Sequence, residues 1–184
     1  MSNSTERDAP IIAETSAWID RVVIGLGLCP FAKPVQVKQL IRYRVTHAEN
    51  ENELLAALEE ELTALTSADP ELIDTTLLIH PSALGNFLDY NDFLSDANDK
   101  LRELELEGEL QIASFHPDYG FAGAPADDPA NYSNRSPYPM LHLLREASVS
   151  RAVAVFPDAS SIYERNVAML RGLAPETLSR LIKG

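Results

Sequence analysis

Thr75-Thr76-Leu77-Leu78-Ile79-His80-Pro81 is the run on which the fold turns. It is short, apolar and β-branched, and it stops at a proline, which cannot extend a β ladder. It therefore reads as a buried strand. Leu110 to Phe115 reads as a second strand and stops in the same way, at His116-Pro117. Arg151-Ala152-Val153-Ala154-Val155-Phe156 is apolar after its arginine and reads as the last strand, central in its sheet. Between the first two strands, Leu84, Phe87, Leu88, Leu94, Ala97, Leu101 and Leu104 keep helical spacing over about Ser82 to Glu107, with Gly108 as the stop.

The segments on either side extend the pattern. Asn50 and Glu53 form a capping box for a helix that buries Leu54, Leu55, Leu58, Leu62 and Leu65. Before it, Val35, Val37, Ile41, Tyr43 and Val45 alternate with Gln36, Lys38, Arg42 and Arg44, as in a half-buried strand or hairpin. Pro30 and Pro34 argue against regular helix in Cys29-Pro30-Phe31-Ala32-Lys33-Pro34. A first helix carries Ile11, Ile12, Thr15, Trp18, Ile19, Val22, Val23 and Leu26, starting near Asp8 and Pro10 and stopping at Gly25 and Gly27. Residues 1–8 read as a flexible tail. Beyond the central region, a helix is expected from about Pro137 to Ala147, another opened by Ser161 and Glu164, and a short one from Pro175. Strands alternating with helices give an α/β class. The expectation is one domain over 1–184, a layered fold with an approximately four-stranded, mainly parallel or mixed sheet flanked by helices.

Composition bounds the function. The chain of 184 residues has 45% hydrophobic and 23% charged residues, an ordinary globular balance. Fifteen Lys and Arg against 28 Asp and Glu give a net charge of −13, which argues against nucleic acid or an anionic membrane as partner. The single cysteine, Cys29, excludes an internal disulfide framework and a thiolate zinc cage. No apolar run approaches the roughly 18 residues of a membrane span, and Met1 to Arg7 lacks the features of a secretory signal. A cytoplasmic protein is expected. No glycine-rich phosphate loop occurs, which argues against nucleoside triphosphate chemistry.

Candidate chemistry gathers at the strand ends, where open α/β sheets bind ligands. His80 and His116 follow equivalent strands and are candidate catalytic groups, although His-Pro also simply ends a strand. His142 and Glu146, four apart on the expected helix, share a face; with His116 they would hold a divalent metal, zinc or iron. A surface ion pair accounts for the same spacing. The stretch Asp118 to Ser136 reads as a loop of about 19 residues, a length more often functional than idle. From it Asp118, Tyr119, Asn131, Asn134 and Arg135, joined by Arg145, are expected to bind a small, anionic substrate; the plainer reading is a self-capping loop. Cys29 is a candidate nucleophile with His80 or His116 as base. It follows an apparent helix C-terminus, where the dipole disfavours a thiolate, and a buried structural cysteine is the plainer reading.

Several of these strings resemble one family. Leu28-Cys29-Pro30-Phe31-Ala32, Ser114-Phe115-His116-Pro117-Asp118-Tyr119, Asn131-Tyr132-Ser133-Asn134-Arg135-Ser136-Pro137-Tyr138-Pro139 and His142-Leu143-Leu144-Arg145-Glu146 are similar to a bacterial family catalogued as domain of unknown function 1415. The resemblance runs from about Trp18 to about Leu173. It implies a single-domain cytosolic protein and transfers no catalytic roles. Three functions compete: a metal-assisted, hydrolase-like enzyme using His116, His142 and Glu146 with His80; a metal-free Cys29–His enzyme; and a non-catalytic module binding a peptide or metabolite. Proximity of His80, His116, His142 and Glu146 favours the first.

Overall fold

A computed structural model describes residues 2–156, 158 and 161–182. Among these residues lie seven α-helices and one four-stranded sheet of order β1-β2-β4-β3, formed by Ile41–Val45, Thr75–Ile79, Met140–Arg145 and Leu110–Phe115 respectively. β1 runs parallel to β2, while β4 pairs antiparallel with both β2 and β3. The fold is therefore α/β and single-domain, with a mixed sheet. The three parallel strands end at one edge of the sheet, and β4 starts there.

Alternation along the strands creates two cores. Leu78, Leu110, Leu141 and Leu143 point to one face, against Leu54, Leu58 and Leu62 of α3 (Glu51–Ser67) and Tyr90, Phe93 and Ala97 of α4 (Phe87–Glu103). Val45, Leu77, Ile79 and Met140 point to the other. There they meet Trp18 of α1 (Ser2–Trp18), Ile19 and Val22 of the π-helix Ile19–Ile24, Leu170 of α6 (Ile162–Arg171) and Leu178 of α7 (Pro175–Ile182). β2 is buried along its whole length, as its composition predicts. The capping box at Asn50 and Glu53 is formed, with the Glu53 N–H on the Asn50 side chain at 3.0 Å.

Five local expectations are corrected. Residues 2–8 are helical from Ser2, not a tail. Residues 32–37 form a short helix, α2 (Ala32–Val37), before β1 begins at Ile41. Pro34 is tolerated because it lies in the first helical turn, where no N–H is required. Met140–Arg145 is the strand β4 rather than a helix. Pro139 immediately before it biases Tyr138 toward extended backbone, and the leucines then alternate, Leu141 and Leu143 to one core and Met140 to the other. Arg151 to Val155 is helical, within α5 (Glu146–Val155), which buries none of its residues. β4 occupies the central slot expected for that segment. The long helix is shorter than expected, with Asn86 capping α4 through the Leu88 and Asp89 N–H groups.

Candidate functional site

A cavity of about 410 Å³ opens at the carboxyl end of β3, on the face covered by the π-helix and α6. Val23, Leu28, Cys29, Phe115, Phe121, Ser133, Asn134, Ile162, Tyr163 and Asn166 line it. Each wall follows from local structure. The chain leaves the π-helix through wide turns, with the Leu28 N–H bonded to Val23 O at 2.9 Å, and this delivers Leu28 and Cys29 to the rim. Gly25 is required in that turn, because a β-carbon would collide with the Arg21 carbonyl. α6 is tied across the opening by Asn166, whose side-chain N–H donates to Leu28 O at 2.8 Å. Arg171 at its other end pairs with Asp128 at 2.7 Å.

The third wall is the segment 118–136, and here the expected binding residues prove to be ties. Asn131 is fully buried: it accepts the Phe121 N–H at 3.0 Å and donates to Pro125 O at 2.9 Å. Arg135 donates to Tyr119 O and Ala126 O and lies over the Tyr132 ring. Tyr119 packs its ring against Phe87 and Phe121, while Asp118 is exposed and gives its backbone N–H to His116. Asn134 alone of the expected set lines the cavity. Arg145 lies at the opposite sheet edge, where its guanidinium donates to Leu65 O, Ala68 O and Ile73 O at the C-terminal end of α3.

The four expected His and Glu side chains are not brought together. His80 and His116 do share the edge, but both turn toward α4, where each stands about 5–6 Å from the Tyr90 ring centre. His80 donates from Nδ1 to Ala83 O at 3.0 Å, and His116 from Nε2 to Leu84 O at 3.1 Å, with the Asp118 N–H on its Nδ1. These bonds clamp the turn at Leu84, which has a positive φ of 55°. Burial pushes the His80 ring down to about 4 and also lowers His116, so both are neutral at pH 7. His142 points to the other face, its Nε2 2.8 Å from the Thr75 hydroxyl, and burial pushes it down to about 4. Glu146 begins α5 at the far end of β4, roughly 20 Å along the strand from the His116 edge. Among the described residues no three His, Cys, Asp or Glu side chains are placed to hold a metal ion.

Cys29 sits in the cavity, half-buried, with no histidine on the walls. Burial pushes its thiol up, while the backbone N–H groups of Phe31 and Ala32 at the start of α2 pull the other way; burial dominates. Cys29 thus lies after one helix terminus, as expected, and also just before a second, α2, which was not expected. Val23, Leu28, Phe115, Phe121, Ser133, Ile162, Tyr163 and Asn166 were not among the expected site residues. Ser133 lay inside the family strings, whereas the α6 residues carried no chemical signal and reach the cavity only through packing.

The family-resembling strings Leu28–Ala32, Ser114–Tyr119 and Asn131–Pro139 thus converge on this cavity and on the clamp beside it. Searches of curated proteins and of solved structures find no match. A family model described as a protein of unknown function does match, over residues 10–180, and the chain belongs to that family, DUF1415.

Proposed function

We propose that the protein is a binding module for a metabolite-sized molecule, held in the cavity beside Cys29. The observation that carries this reading is the composition of the walls: three aromatic rings, two side-chain amides and a thiol around a volume within the usual range of small-molecule sites. The turns, ties and loop described above hold those walls from three separate parts of the chain, so the site is formed before any ligand arrives. His80, His116 and His142 serve the fold, their protons committed to backbone carbonyls or to Thr75.

Titration of the isotopically labelled protein with a small-fragment mixture tests this. Amide shifts should concentrate at Leu28, Cys29, Phe121, Asn134 and Asn166, and bound fragments should slow alkylation of Cys29 by iodoacetamide. Ile162→Trp, which fills the cavity, should abolish both effects. Binders that map elsewhere and ignore this substitution would sink the proposal.

A further inference from the structure

Resting on that reading, we infer that the cavity selects a neutral, planar molecule carrying a carboxamide or lactam edge and rejects the corresponding carboxylate and ammonium. Among the described residues no Asp, Glu, Lys, Arg or His lines the cavity. An ionic group seated there would give up part of its hydration without gaining a counter-charge. The arginines of the cavity's own walls are engaged elsewhere: Arg135 donates to backbone carbonyls, Arg165 lies over the Phe156 ring and Arg171 pairs with Asp128. The net charge of −13 adds a long-range field unfavourable to an anion.

The two asparagines decide between a neutral ligand and a cation. Asn166 uses one side-chain N–H on Leu28 O; its second N–H and its Oδ1 have no partner among the described residues, so it offers both a donor and an acceptor. Asn134 spends one Nδ2–H on Ser114 O at 3.1 Å and keeps its second N–H as a donor; its Oδ1, at 3.1 Å, shares the single Ser133 hydroxyl proton with Ala130 O at 2.9 Å and so keeps acceptor capacity. An ammonium would use the two amide oxygens and leave the free N–H groups of Asn134 and Asn166 unanswered. A carboxylate would do the reverse. An amide edge offers one N–H and one carbonyl and answers both. Phe115, Phe121 and Tyr163, the last two edge-to-face at 5.9 Å, supply apolar surface for a flat ring.

The experiment compares benzamide, benzoate and benzylammonium at pH 7, which share a ring and differ in the polar group. Each is titrated into the full labelled chain while the side-chain NH₂ signals of Asn134 and Asn166 are followed. Benzamide is expected to move both signals and to bind at least tenfold more tightly than either ion, about 1.4 kcal/mol. Asn166→Asp should lose that preference and gain benzylammonium; Asn134→Leu, which deletes the donor, should lose benzamide binding at least tenfold without gaining an ion. Benzoate or benzylammonium binding in the cavity as tightly as benzamide would overturn the ligand class and leave the cavity reading standing. Failure of all three to perturb the cavity would overturn both.

Discussion

His80 and Arg145 show how single residues that look chemical are consumed by the backbone. The His80 ring is sealed, with Nδ1 on Ala83 O and Nε2 buried without a hydrogen-bond partner, so a second proton would create a buried, unsatisfied cation. Arg145 answers carbonyls that a helix end leaves open, where the dipole also favours a positive charge. Arg145→Met should cost about 1.5–3 kcal/mol in urea unfolding, the range for hydrogen bonds to charged groups, and leave ligand titrations unchanged. Cys29 follows the opposite logic, being near a cavity but not activated. Its alkylation rate should keep rising through and above the ordinary thiol range near pH 8.5, as burial of the thiolate requires. A plateau reached below pH 7 would contradict that account.

At the scale of elements, the segment 118–136 behaves as one structured wall. Asn131 ties Phe121 and Pro125 together, Asp128 caps the 3₁₀ turn Pro129–Ser133 through the Ala130 N–H, and Arg135 closes the span on Tyr119 O. Replacing Asn131 by Ala strands the Phe121 N–H and should cost about 1–3 kcal/mol. It should also admit proteases near Ala126 and weaken any ligand that uses Phe121. Limited proteolysis with mass mapping measures the first effect and fragment titration the second. The length and Asx-rich composition of this segment were legible in the sequence. Which of its residues face a ligand was not, because Asn and Arg serve loop carbonyls and substrates with the same atoms.

The molecule as a whole couples its histidines to stability. The unfolded His80 ring takes a proton below about 6.5, whereas the folded ring resists it down to about 4. Stability from this group is complete above pH 6.5 and declines as the pH falls toward 4, by roughly 3 kcal/mol in total. His142 contributes with the same sign. Unfolding free energies measured across this interval should show the decline, and His80→Asn should flatten it while lowering stability at pH 7. A profile that rises on acidification would refute the neutral, buried assignment. The acidic charge of the chain sits apart from these groups, on surfaces such as Glu59 and Glu60 of α3, both exposed.

What the sequence alone determined was local: the β2 and β3 strands with their proline stops, the capped α3 helix, the amphipathic α4, and hence the α/β layering. These were readable because burial demand and hydrogen-bonding pattern agree over a few residues. Tertiary structure decided the rest. Met140–Arg145 and Arg151–Val155 are both apolar enough for either state; pairing between β2 and β3, helped by Pro139 and the alternating leucines, placed the first in the sheet, and the second is helical. The same sheet separated the chemistry, because successive strand residues face opposite ways. Phe115 turns toward Cys29 and the cavity, and His116, its neighbour in sequence, turns away toward Tyr90.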